Sequence, residues 1–285
     1  MTKVKICGIT NLEDALLSAK FGADALGFNF YVNSPRYILP EVAREIIDEL
    51  PENVLKVGVF VNEDLDKIIE IAKTANLDAI QLHGEETPEF AKELKTKTGL
   101  EIIKAFRVSE DFKPEDVLQY EVDAILLDAY SPKEHGGTGE TFDWEIAKKV
   151  QDIFPKMYLA GGITNSNVRM AFHQSNPFGI DTCSGVERAK GSKNKIQLIN
   201  FIKRVKVESK RKIGFEIKHI YDLLDAIQPC PALYLGKYSI SYLGVYLQGF
   251  KMCSEIFDKE FDWKNFTSFE FPERKYDFRA FLENH

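Results

Sequence analysis

The sequence has few of the features that mark metal, disulfide or membrane proteins. Its four cysteines, Cys7, Cys183, Cys230 and Cys253, stand far apart and form no Cys-x-x-Cys pair. This excludes a disulfide framework or zinc knuckle read from spacing, and free thiols in a cytoplasmic protein are the expectation. Histidines number five, and neither His83 nor His135 has ligand spacing to a cysteine or carboxylate motif. No metal site is therefore expected. No apolar run approaches the ~18 residues of a membrane-spanning helix. The opening MTKVKICGI passes directly into a strand-like run, which does not read as a signal peptide. Positive charge is not in excess: the net charge of −7 argues against a nucleic-acid surface. No Gly-x-Gly-x-x-Gly fingerprint follows the first strand, and no Gly-x-Ser-x-Gly elbow occurs.

What is present is an ordinary globular composition, 44% hydrophobic and 28% charged, in a chain long enough for a large core. Up to about residue 205 the pattern repeats strand then helix. The expected strands are 4–6, 24–30, 55–61, 78–82, 101–106, 123–128, 157–159 and 179–182. The expected helices are 12–20, 40–50, 63–74, one from Thr87 to Gly99, a short one at 114–119, 142–152, 166–173 and 195–205. Thr10 with Glu13 has the form of a capping box for the first helix, and Gly22 the form of its C-terminal stop. Eight βα units at roughly 25 residues each make a small (β/α)8 TIM barrel, favoured over an open doubly wound sheet. Continuous apolar runs such as Ala124-Ile125-Leu126-Leu127 suit strands covered on both faces. The loop 129–141, with Gly136-Gly137-Thr138-Gly139, reads as a candidate lid.

Beyond residue 205 the texture changes. The basic run 203–212 reads as a helix end and linker, so the expected organisation is a barrel at 1–205, a linker at 206–213 and an extension at 214–285. The extension holds 16 of the 34 aromatic residues, a density that calls for a folded, mainly helical or α+β unit. Residues 216–228 have helical periodicity.

In a barrel, residues at the C-terminal strand ends share one pocket. That brings together Cys7 after strand one, Arg36 after strand two, His83 after strand four, Asp128 at strand six and Asp181 on strand eight. Gly161-Gly162 follow strand seven and Ser184-Gly185 follow strand eight, where unshielded backbone N–H groups can surround a phosphate. Cys7 and Asp128 suit an acid/base pair, although a buried structural thiol and a loop cap are the simpler readings of each alone. Arg36 has the fork geometry for a carboxylate, or for a surface salt bridge. His83 reads first as a strand-end histidine satisfied by its neighbours, and is kept as a substrate-binding candidate.

These pieces resemble phosphoribosylanthranilate isomerase of tryptophan biosynthesis. The likeness runs from about residue 3 to 205. It rests on Lys5-Ile6-Cys7-Gly8, Ser34-Pro35-Arg36-Tyr37-Ile38, Gln81-Leu82-His83-Gly84, Leu127-Asp128, Leu159-Ala160-Gly161-Gly162-Ile163 and Ser184-Gly185-Val186-Glu187. The resemblance implies a cofactor-free Amadori rearrangement of N-(5-phosphoribosyl)anthranilate to 1-(o-carboxyphenylamino)-1-deoxyribulose 5-phosphate. Asp128 then matches the general acid, Cys7 the general base and Arg36 the residue facing the anthranilate carboxylate. Gly161, Gly162, Ser184 and Gly185 match the phosphate site, and Asp181 an aspartate within the pocket. The expected partner is a small phosphorylated substrate, with no nucleic acid and no membrane, in a monomer or homodimer. Thr182-Cys183 stand where the family has small residues, and Ser192-Lys193-Asn194 where it often has Lys-Asp. The competing reading is a silent isomerase-like barrel that works as a binding or regulatory protein through its extension. The sister isomerase of histidine biosynthesis uses two aspartates, and Cys7 argues against it.

Overall fold

The structure is a computed structural model that describes residues 1–109, 111–129, 143–214, 269–271 and 274–276. Eight parallel strands close into a barrel in chain order, with β8 pairing back to β1. They are β1 Lys3–Ile6, β2 Ala25–Asn29, β3 Leu55–Phe60, β4 Ala79–Leu82, β5 Glu101–Val108, β6 Ala124–Ala129, β7 Met157–Leu159 and β8 Gly179–Thr182. The helices between them are α1 Leu12–Phe21, α2 Pro40–Asp48, α3 Leu65–Ala75, α4 Pro88–Thr98, α5 Trp144–Ile153 and α6 Val168–Ser175, and α7 Lys195–Gly214 follows β8. A short 3-10 helix, Pro114–Gln119, takes the place of an α-helix between β5 and β6. The (β/α)8 barrel expected from the sequence is the observed fold.

Local chemistry sets the helix ends. Asn11 caps α1 by accepting from the Asp14 N–H at 2.9 Å, so the capping box expected at Thr10 is displaced by one residue. The Thr10 hydroxyl instead donates to the carbonyl of Gly191. Asp64, Thr87 and Asp143 cap α3, α4 and α5. The expected start of α6 at residue 166 moves to Val168, because the Thr164 hydroxyl accepts from the Ser166 N–H at 3.2 Å and holds a turn there.

The N-terminal rim carries a repeated clamp. Asp24, Asp78 and Asp123 each precede an even-numbered strand. Their carboxylates accept from the N–H of Val4, Lys56 and Ile102, at 2.8, 2.9 and 2.9 Å. Each aspartate's own N–H returns to the carbonyl of the same residue. The N–H of the second residue of three odd-numbered strands is thereby satisfied at the end of the barrel that carries stability.

After β8 the chain forms a small hairpin, β9 Glu187–Ala189 with β10 Ser192–Lys193, turning through Gly191. Asn194 then caps α7, its side-chain oxygen accepting from the Ile196 and Gln197 N–H groups.

The linker expected at 206–213 is instead the last part of α7. No glycine or proline interrupts the run before Gly214, and Lys, Arg and Glu are good helix formers. Glu208 and Ser209 are buried and hydrogen-bonded to His173 and to the Thr2 N–H, which ties this part of the helix to the barrel. The chain divides into units Met1–Ile213 and Gly214–His285. In the second, the described residues form one antiparallel pair, β11 Phe269–Phe271 with β12 Arg274–Tyr276. The helix expected at 216–228, and the loop read as a lid, lie outside the described residues.

Candidate active site

The period of two along a strand builds the site. One set of buried side chains, Ala25, Val57, Ala79, Ile103, Ala105, Ala124, Leu126, Tyr158 and Ala160, clusters apart from the residues that face the helices. Continuing each stripe by twos toward the strand's C-terminal end leads from Lys5 to Cys7. It leads likewise from Ala79 to Gln81 and His83, from Leu126 to Asp128 and from Asp181 to Cys183. These end positions, with Asn29, Arg36 and Val59, line one cavity of about 560 Å³. Five expected site residues, Cys7, Arg36, His83, Asp128 and Asp181, are thus brought together.

Cys7 follows β1 directly, its N–H bonded to the Thr182 carbonyl at 2.9 Å. The thiol is held well below the usual thiol range. The Cys183 thiol beside it is the largest cause. Burial opposes the shift, and the charges of Lys5, Lys193 and His83 add to it. Cys183 moves the opposite way, pushed up by the Cys7 sulfur and by burial. Of two adjacent thiols, Cys7 is therefore the one that ionises first. A Cβ at position 27 would lie 2.7 Å from the Cys7 sulfur, so Gly27 leaves that sulfur its space.

Asp128, 6% exposed, ends β6. One oxygen accepts from the Ala129 N–H at 2.9 Å, and the other meets His83 Nε2 at 3.2 Å. The Gln81 amide nitrogen lies 2.7 Å from His83 Nδ1. With the Gln81 amide donating at Nδ1, the ring N–H is on Nε2 and points at Asp128. His83 is therefore both the satisfied histidine expected and a wall of the cavity.

Arg36 reaches Glu187 with both Nε, at 2.9 Å, and Nη2, at 2.8 Å. The fork is held from behind, on the inner side of the β9–β10 hairpin. Deeper, Lys5 and Asp181 form an ion pair of 2.9 Å across the β1–β8 seam, with the lysine fully buried. Burial pushes the Asp181 carboxyl up to about 6, against the attraction of Lys5.

The family model for N-(5'-phosphoribosyl)anthranilate (PRA) isomerase matches residues 4–204, which span the barrel and all of these side chains. The chain belongs to this family. It is an isomerase of tryptophan biosynthesis. The N-(5'-phosphoribosyl)anthranilate isomerase of Pelobacter propionicus is 48% identical over 206 residues, 72% of this chain and 96% of that one. The crystal structure of phosphoribosyl anthranilate isomerase from Thermotoga maritima aligns with a TM-score of 0.68 at 46% identity, over 72% of this chain and 99% of that one. A phosphoribosyl anthranilate isomerase in complex with reduced 1-(o-carboxyphenylamino)-1-deoxyribulose 5-phosphate aligns with a TM-score of 0.65 at 45% identity, over 72% and 99% of the two chains.

The glycines read as an isomerase phosphate site fall beside the cavity and are not among its lining residues. Gly161 has φ of +79°, and a Cβ there would lie 2.4 Å from the Ala129 backbone nitrogen. A Cβ on Gly185 would lie 2.1 Å from the Ile163 carbonyl oxygen. The end of β6 and the loops after β7 and β8 therefore pack backbone on backbone, with no room for a Cβ at Gly161 or Gly185.

Two residues of the site escaped the sequence reading, Glu187 and Lys193. In the sequence Glu187 stands out only as part of a motif, and Lys193 only as part of a departure from one. Both lie on the short β9–β10 hairpin, which a Gly191 turn between polar residues hardly announces.

Proposed function

We propose that the cavity isomerises N-(5'-phosphoribosyl)anthranilate by acid/base catalysis, with Asp128 as the acid and Cys7 as the base. Asp128 gives a proton to the ribose ring oxygen, and the ring opens to a Schiff base. The Cys7 thiolate then takes the proton from C2, and the enolamine that results tautomerises to the ketone product. Arg36 faces the anthranilate carboxylate with the part of its fork that Glu187 leaves available. Gly161, Gly162, Ser184 and Gly185 take the phosphate, while Asp181 and His83 complete the pocket. The observation that carries this reading is one cavity lined by Cys7, Asp128 and Arg36 together, with the Cys7 thiol held well below the usual thiol range. The chain works in the cytoplasm as a monomer or a homodimer.

Freshly prepared phosphoribosylanthranilate, followed by loss of anthranilate fluorescence, tests it. Turnover is expected in the wild-type protein, falling by about 10²–10⁴ in Cys7→Ala and in Asp128→Asn. Retained turnover in either variant refutes the role given to that residue. A folded wild type that turns nothing over supports a binding or regulatory barrel instead.

A further inference from the structure

Lys193 is a long cationic side chain with none of its surface exposed, at the end of a surface hairpin. Burying an ammonium is costly unless every donor finds an acceptor. Its Nζ lies 2.6 Å from the carbonyl oxygen of Cys7, 3.3 Å from that of Cys183 and 3.1 Å from Glu187 Oε1. The Cys183 sulfur lies 3.9 Å away. The same Glu187 carboxylate takes the Arg36 fork and accepts from the Gly191 N–H at 3.2 Å. One carboxylate thus joins the cation beside the base to the cation assigned to the substrate carboxylate.

We propose that Lys193, anchored by Glu187, is a positioning residue for Cys7: it fixes the Cys7 backbone and, with Lys5, adds positive charge near which the thiolate forms, while Glu187 sets the direction of Arg36. The inference rests on Cys7 being the base. The chemistry is consistent from each side. A thiolate in a cavity needs a cation that cannot swing away to solvent, and three acceptors hold this one. Arg36 must present a fixed fork, and a bidentate carboxylate behind it does so. Other charged or titratable groups also face Cys7: Lys5 on its own strand, Asp181 and Cys183 from β8, His83 after β4 and Arg36 after β2. Lys193 differs from them in bonding the Cys7 backbone itself.

The test reads Cys7 without substrate. Alkylation of the Cys7 peptide by iodoacetamide is followed by mass spectrometry from pH 5 to 9 in the full-length chain. Lys193→Met is expected to raise the midpoint by about one unit, a tenfold slower reaction at a pH below it that disappears above it. Lys193→Arg is expected to restore most of the wild-type value. Glu187→Gln removes a negative charge and leaves Lys193 and Arg36 unneutralised, so its midpoint moves down. It also raises KM for phosphoribosylanthranilate through Arg36. Opposite shifts in Lys193→Met and Glu187→Gln support the proposal. Midpoints that stay put, or that move together as for general loosening, overturn it. Should Lys193→Met not fold, a Glu187→Gln midpoint at or above the wild-type value is sufficient to overturn it. Because alkylation needs no turnover, this result is independent of whether the isomerase assignment of Cys7 holds.

Discussion

Lys5 Nζ and Asp181 Oδ1 meet at 2.9 Å inside the barrel, on neighbouring strands whose sequence positions are 176 residues apart. The lysine is fully buried and the aspartate nearly so. Removing one partner leaves the other as an uncompensated buried charge, whereas removing both leaves none. Lys5→Met is therefore expected to cost about 3–5 kcal/mol in urea unfolding, and Lys5→Met with Asp181→Asn to recover much of that loss. A single variant as stable as the wild type would show that the pair is not held as described.

The Cys183 thiol beside Cys7 makes a second expectation. The active form of the base is the thiolate, so kcat/KM is lost as pH falls through the Cys7 value, which lies below the ordinary thiol range. Cys183 is the largest cause of that depression. Cys183→Ala should move the acid limb of the pH profile upward by about one unit or more, and Cys183→Ser, which keeps a donor, by less. Coincident profiles for wild type and Cys183→Ala would contradict this.

Arg36 presents a planar fork already held on one side by Glu187. Lysine has a point charge in place of the fork. Arg36→Lys is expected to lose about 1.5–3 kcal/mol of binding to a carboxylate, seen as a KM raised by tenfold or more with a smaller change in kcat. Equal KM values in the two proteins would remove Arg36 from carboxylate recognition.

Two clamps at the opposite rim, those of Asp24 and Asp123, contribute to stability in acid. In Asp24 burial opposes ionisation, but Lys206 and the Val4 N–H hold the carboxyl below its usual range. Asp123 behaves likewise through Lys95 and the Ile102 N–H. Both groups are partly exposed, so solvent screening reduces the electrostatic share. A carboxyl whose folded value is depressed stabilises the fold above its unfolded value, near 3.9, and the contribution is lost as pH falls through the lower folded value. Asp24→Ala is expected to destabilise by about 1–3 kcal/mol at pH 7, since it orphans the Val4 N–H, and to flatten the fall in melting temperature below pH 4. A variant with the same acid-side slope as the wild type would rule out the clamp as its source.

Much of the barrel was legible because its signals are local. Gly22 and Gly99 stop helices at positive φ, and Pro40 and Pro88 open them, each at the position the sequence indicates. Thr10 shows the limit of such reading. Its spacing to Glu13 has the form of a cap, but Gly191 takes its hydroxyl and Asn11 caps α1 instead. A residue in contact with a segment 181 positions away cannot be assigned from its neighbours. The linker reading of 206–213 failed for a related reason. A basic run looks solvated, but Glu208 finds His173 and Ser209 finds Thr2.

The sequence by itself determined the repeat of strand and helix, the closure of eight strands into a barrel, the family, and which residues stand at the strand ends. These follow from periodicity, caps and ordered motifs, all written along the chain. Only the tertiary structure decided that Gly161, Gly162, Ser184 and Gly185 fall outside the lining of the cavity, which of the two thiols ionises first, and that Lys193 and Glu187 stand behind Cys7 and Arg36. Those outcomes depend on burial and on distances between strands far apart in sequence. Desolvation and Coulomb attraction act through space, and in this barrel ring closure brings the end of β8 and its hairpin against the start of the chain.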